Sequence, residues 1–231
     1  MFLIARASKL IGKLKGEPFC LDENIPSLYL IRFFLMKLVS LLWGMFRLKR
    51  VGLIFIHPSA TIKCPRKIRP GKNFSVGQRC YIDALSIDGL VCGKNVSMGY
   101  CTHIELTGSL KCLGKGITIG NNVGLGSHGH YGGGGGLEIG DDTIIGNYVS
   151  FHPENHCCAD LNTAIRLQGV TGRGIKVGRN CWIGAKATFL DGSEIGDGCI
   201  VAAGAVVKGK FLDNVLIGGV PAKVLKTRIN G

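Results

Sequence analysis

From about residue 56 onward, aliphatic residues return at every sixth position. Val177, Ile183, Phe189, Ile195, Val201 and Val207 form the longest unbroken run. Four residues after each of the first five stands a small one: Cys181, Ala187, Ser193, Cys199 and Ala205. Upstream, Ile139, Ile145 and Phe151 keep the beat, with Thr143, Val149 and Asn155 in the small slot. Leu113, Ile119, Leu125 and Tyr131 form another run, Cys92, Met98, Ile104 and Leu110 a fourth, and Ile56, Ile62, Ile68 and Phe74 a looser fifth. An amphipathic helix repeats about every 3.6 residues and a half-buried strand about every 2. A period of six fits neither. It fits a solenoid of short strands joined by sharp corners, the aliphatic residue inward, the small one near the corner, glycine helping the chain turn. Coils stacked in parallel pair every backbone group except those at the two ends. A purely architectural solenoid carries the same pattern.

The first fifty residues follow another rule. Phe2, Leu3, Ile4, Leu10, Ile11 and Leu14 alternate with Arg6, Lys9, Lys13 and Lys15, and after Pro18 to Pro26 comes a longer apolar run, Leu28 to Phe46. At about 100° per residue, Arg32, Lys37, Ser40, Gly44 and Arg47 share one arc of roughly 140°, and the remaining circumference is apolar. A wide apolar face beside basic residues fits a helix lying in a membrane interface. Arg32 and Lys37 argue against a spanning helix. A helix packed on its own domain or on a neighbouring subunit fits the pattern as well. The division expected is a helical, basic and apolar extension over 1–50 and a repeat domain over 51–231, with a loop at 157–174 and a short C-terminal tail.

Composition sharpens this picture. The 36 glycines among 231 residues, about twice the usual share, read as corners that need positive φ. The 46% apolar content excludes disorder as the main state. Of the net charge of +13, twelve units lie before residue 81. Such a pole attracts an anionic membrane or a phosphorylated substrate. No zinc-finger spacing, aromatic RNA-binding motif or reading helix accompanies it, which sets nucleic acid aside. The ten cysteines are scattered with no CxxC, and no cleavable signal peptide is evident, so most of them read as reduced, small core residues of a cytoplasmic protein.

The beat breaks between Phe151 and Val177, at "HPENH" and the segment that follows. A loop extruded from a regular solenoid is a place for function, because the solenoid positions it without using it for the core. A second irregularity, Gly132–Gly136, reads as a flexible bulge, or more sharply as a phosphate cradle. Taken together, "VSFHPENH", the loop, and "IKVGRNCWIGAKATFLDGSEIGDGCIVAAGAVVKG…NVLIGGVPAKVLK" resemble the hexapeptide-repeat acyltransferases, closest to the bacterial O-acetyltransferases of capsule and lipopolysaccharide. The resemblance covers about residues 56–225. It implies an all-β fold, a left-handed parallel β-helix of about eight eighteen-residue coils, against the right-handed rule for ordinary parallel crossovers. It also implies a homotrimer.

The resemblance further implies an acetyl-CoA-dependent enzyme, with no metal, whose base is a histidine at the start of the loop. His156 matches that position best and His152 is its rival. Imidazole suits the task, since a hydroxyl must lose its proton as it attacks a thioester. The resemblance places the oxyanion donor at a backbone N–H around Gly184-Ala185, while Glu154 and a backbone carbonyl are the two open choices for the group that orients the ring. Trp182, Gly184, Ala185, Ala203 and Gly204 match the positions along which the cofactor lies between subunits. Lys208 and Lys223, with Arg228 a further candidate, match positions near its phosphates. The expected acceptor is a sugar hydroxyl of a surface polysaccharide or its lipid-linked precursor, which gives the extension a reason to sit at the inner membrane face. The other readings are a serine or small-sugar acetyltransferase, a zinc carbonic-anhydrase-like solenoid and a non-catalytic scaffold. Fifty residues are too few for the helical domain of the serine enzymes. The i, i+4 spacing of His152 and His156 departs from the zinc site's i, i+5.

Overall fold

The computed structural model describes residues 2–228. From Ile54 onward the chain winds through three parallel faces. Face 1 runs from Ile54–Ile56 to Val215–Gly219 in eight parallel strands, and a ninth, Ala222–Thr227, folds back antiparallel on the last. Face 2 runs from Thr61–Lys63 to Val206–Val207 and face 3 from Ile68–Arg69 to Lys210–Phe211, with seven described strands each.

Along face 1, Ile54 pairs with Phe74, Ser75 with Ser97, Ser97 with Gly124, Gly124 with Ile144, Ile144 with Trp182, Trp182 with Ile200 and Ile200 with Leu216. Successive coils therefore take 20, 22, 27, 20, 38, 18 and 16 residues. Only one has the eighteen expected of three hexapeptides. The strands keep the beat while the corners absorb the extra residues. In the 27-residue coil the surplus forms a small loop, where Leu110 and Leu113 are exposed instead of inward. The 38-residue coil contains the long interruption.

The remaining aliphatic positions of the beat are inward, while Asn155, expected in a small slot, is exposed at the start of the interruption. Val177, Ile183, Phe189, Ile195, Val201 and Val207 are buried, as are the small residues Cys181, Ala187, Ser193, Cys199 and Ala205. On face 2 the inward column includes Tyr131, Phe151 and Phe189, whose rings stack with centroids 5.2 and 4.6 Å apart. All ten cysteines are free thiols. Four are buried, and burial pushes the thiols of Cys92 and Cys181 up to about 12 and about 11.

The glycines meet the expectation only in part. Twelve described glycines take positive φ, with Gly198 at one corner between faces 3 and 1. In the other coils that left-handed corner is taken by Asn73, Asn95, Asn122, Asp142, Asn180 and Asn214, the residue types that tolerate positive φ best after glycine. Asn73, Asn95, Asn122 and Asp142 hand a side-chain hydrogen bond from coil to coil. Glycine stands just before this ladder, at ordinary φ, where coils come too close for a side chain. A Cβ on Gly178 would lie 2.5 Å from the carbonyl carbon of Gly196. Gly133–Gly136 is likewise tight, not flexible: a Cβ on Gly135 would strike the Pro153 carbonyl. The N–H groups of Gly133, Gly135 and Gly136 are bonded to Glu105, Pro153 and Gly133 carbonyls, which leaves no phosphate cradle there.

Two helices precede the solenoid: α1, Phe2–Lys15, and α2, Ser27–Leu48. Pro26 stands at the N-cap of α2, and Lys49 closes it in the left-handed conformation. The arc of small and polar residues on α2 faces the solenoid. Ser40, Gly44 and Leu48 are buried, and a Cβ on Gly44 would strike the Ile54 carbonyl. Arg47 donates to the Ile62 carbonyl at 2.8 Å, answering a backbone group on the edge strand of face 2. Lys37 donates to Ser75 Oγ at 3.0 Å. Outward lie Leu28, Ile31, Leu35, Leu42 and Phe46, all exposed.

Candidate active site

The interruption is a built arm. Asn155–His156 pairs antiparallel with Val170–Thr171, and the Cys157 N–H donates to the Gly169 carbonyl at 3.0 Å. The arm thus begins two residues before the expected loop. At its tip Gln168 ties Asp160 and Thr163 together. At its base one carboxylate closes it: Asp191 accepts from the Arg173 and Gly174 N–H groups at 2.7 and 2.9 Å and from Asn155 Nδ2 at 3.2 Å. Asp191 was not singled out by sequence. Within "LDGS" it reads locally only as a turn residue ahead of glycine, with nothing to mark a partner in the arm.

The arm presents His156 to solvent. His152, two residues past the inward Ser150–His152 strand's start, stacks on His130 with ring centroids 5.4 Å apart. His130 stacks in turn on His103 at 5.3 Å, and His103 on Tyr81 at 4.6 Å. Burial, and then the neighbouring His103 and His152, hold His130 below the ordinary imidazole range. His152 is therefore the end of an aromatic ladder on face 2, while His156 stands clear of it. Glu154 turns away, its carboxylate beside Gly134 and Gly108. Among the described residues no group of three His, Cys, Asp or Glu is arranged as a metal site.

At the corner between faces 1 and 2, Gly184, Ala185, Ala203 and Gly204 are brought together. Gly204 N–H donates to the Ala185 carbonyl at 2.9 Å. Gly184 N–H is committed to the Val201 carbonyl at 2.7 Å. Among the described backbone contacts, the Ala185 N–H meets no acceptor, and Ala185 is exposed. Trp182 lies outward on face 1, 58% exposed, in one column with Ile144 and Ile200. Lys208 and Lys223 are both exposed but are not brought together: Lys208 follows the last face 2 strand, and Lys223 is on the returning strand of face 1. The Arg228 guanidinium donates to the Gly198 carbonyl. His156 leaves the solenoid between faces 2 and 3, so the whole width of face 2 separates it from Ala185 in one chain.

Residues 174–209 match the family described as bacterial transferase hexapeptide (six repeats). WbbJ of Escherichia coli, named as a lipopolysaccharide biosynthesis O-acetyl transferase, is 30% identical over 194 residues, 80% of this chain and 89% of that protein. Rv3034c of Mycobacterium tuberculosis, named as an acetyltransferase, is 35% identical over 92 residues. That match covers 40% of this chain and spans about a third, 31%, of that protein. A crystal structure of AntD, an N-acyltransferase from Bacillus cereus, in complex with dTDP-4-amino-4,6-dideoxyglucose and coenzyme A shares the fold, with a TM-score of 0.52 and 20% identity over 77% of this chain and 82% of that one. The chain belongs to the hexapeptide-repeat acyltransferases, and its solenoid is a left-handed parallel β-helix.

Proposed function

We propose that the chain transfers acetyl from acetyl-CoA to a sugar hydroxyl of a surface polysaccharide or its precursor, with His156 as general base. The observation that carries this reading is the arm: an interruption with its own hydrogen bonds, clasped by Asp191, that holds one histidine free of the aromatic ladder. His156 takes the proton of the sugar hydroxyl as its oxygen attacks the thioester carbonyl. The Ala185 N–H donates to the oxyanion of the tetrahedral intermediate. On collapse the C–S bond breaks, and the proton on the imidazolium passes to the CoA sulfur. The names of WbbJ and of the AntD complex support a sugar acceptor and a CoA donor. The exposed backbone corner at Ala185, Ala203 and Gly204 suits a cofactor contacted through main chain, with Trp182 as a wall and Lys208 and Lys223 for its phosphates.

A site that uses both His156 and Ala185 must take them from two copies, which supports a homotrimer with its sites between subunits. The outward apolar face of α2 supports a seat on the inner face of the membrane, where a lipid-linked acceptor is met. The test is acetyl-CoA cleavage against a panel of sugars. His156→Ala is expected to lower turnover by about 10²–10⁴-fold, with acetyl-CoA binding unchanged, whereas His152→Ala keeps most of the rate. Equal turnover of His156→Ala and wild type on a true acceptor would remove the base assignment.

A further inference from the structure

The two helices do not lie flat on the solenoid. Between α1, the connection to α2, α2 itself and face 1 is a cavity of about 740 Å³, within the ~300–1,000 Å³ range of small-molecule sites. Its floor is the outward column of face 1. That column carries Phe55, Ser75, Ser97 and Gly124 beneath the helices and changes to Ile144 and Trp182 beyond them. Short floor residues make the cavity. A Cβ on Gly124 would meet only Ser97 Oγ, at 3.9 Å. The helix side is hydrocarbon, and Leu10, Tyr29, Phe33 and Leu38 both line the cavity and are exposed. The mouth therefore opens on an apolar surface.

Two lysines line this space, Lys15 and Lys37, and Lys37 reaches its floor. Lys37 Nζ donates to Ser75 Oγ and lies 5.2 Å from the centroid of the Phe55 ring and 5.7 Å from that of Phe33. Burial lowers its pKa. No carboxylate pairs with it among the described residues. Glu17, the acid that lines the cavity, is exposed and sits 3.9 Å from Lys15 Nζ. A half-buried cation held only by a hydroxyl and two rings still gains from an anion brought beside it, since burial makes an unpaired charge costly.

We propose that the cavity binds one long hydrocarbon chain of an anionic amphiphile, the chain over Ser75, Ser97 and Gly124 and the acidic head against Lys37. This does not depend on the acyl-transfer reading. The test uses the purified full-length protein and cis-parinaric acid, a fluorescent long-chain carboxylate, below its micelle concentration and without membranes. Saturable binding of one probe per chain is expected, with palmitate displacing it at least tenfold better than hexadecanol. Lys37→Met removes the preference for the acid over the alcohol. Gly124→Leu, or Ser97→Leu as a second filling variant, weakens binding at least tenfold with an unchanged circular dichroism spectrum. Competition between palmitate and farnesyl phosphate then separates the sources: the better competitor identifies a fatty acyl or an isoprenoid phosphate lipid, and either supports the site. Absence of saturable binding, full affinity in both well-folded filling variants, or an acid preference that survives Lys37→Met would overturn it. So would loss of binding in Leu35→Glu, whose side chain lies on α2 outside the cavity, since the probe would then be on the helix exterior.

Discussion

The hydroxyl of Tyr131 is buried in the face 2 ring stack with no hydrogen-bond partner among the described residues. Burial pushes the phenol far above its ordinary range. A buried, unanswered polar group costs about 1–3 kcal/mol. Tyr131→Phe keeps the ring and its stacking on Phe151 and deletes the group. The variant is expected to melt higher, by roughly 2–4 °C per kcal/mol recovered in a chain of this size. A lower melting temperature in thermal denaturation would show that the hydroxyl is answered and that the stack depends on it. Sequence placed Tyr131 inward because a beat of six needs only its apolar bulk, and it was silent on the hydroxyl. The role of glycine is only partly legible for a related reason. A glycine can serve positive φ or close backbone approach, and the letter alone does not distinguish them. At Gly178 the need is proximity to Gly196, while Asn180 supplies the positive φ two residues on.

At the scale of elements, α2 turns the expected picture inside out. Sequence correctly separated its polar arc from its apolar face. A polar arc looks the same whether it faces water or short-range partners on a protein, and only the contacts of Ser40, Gly44 and Arg47 decide for the protein. The apolar face is consequently left outward, on a helix of 22 residues that is long and apolar enough to cross a membrane by length and composition. Lys49 and Arg50, exposed just past its end, carry the charge that would meet an anionic surface. If this face seats the protein on a membrane, wild type floats with vesicles containing anionic lipid, and the double variant Leu35→Glu/Leu42→Glu stays with the soluble fraction while still cleaving acetyl-CoA with a soluble acceptor. Equal flotation of the two would dismiss the seat. The inward strands were legible because burial repeats with the coil, and the arm was legible as a break in that repeat. Its clasp was not: Asp191 closes it from 36 residues beyond Asn155, a distance that no local pattern spans.

For the molecule as a whole, the proposed base and the proposed oxyanion donor stand at opposite edges of face 2. His156 is carried on the arm between faces 2 and 3, and the open Ala185 N–H lies at the corner of faces 1 and 2. The coil-to-coil pairing of Thr188–Leu190 with its neighbours fixes that separation, so closing the arm onto its own corner would require breaking face 2. In the proposed trimer each site joins the histidine of one copy to the corner of the next, which cyclic symmetry repeats three times. Two inactive variants therefore carry complementary halves. His156→Ala keeps the corner, and Ala203→Trp keeps the histidine while filling the exposed main-chain corner. Unfolded and refolded together in equal amounts, they are expected to recover about a quarter of wild-type turnover, because about one site in four then pairs an intact histidine with an intact corner. Each variant refolded alone stays inactive. Mixtures that stay inactive, while mass measurement shows mixed oligomers, would place both halves of the site within a single chain and return the base assignment to His152 or another group.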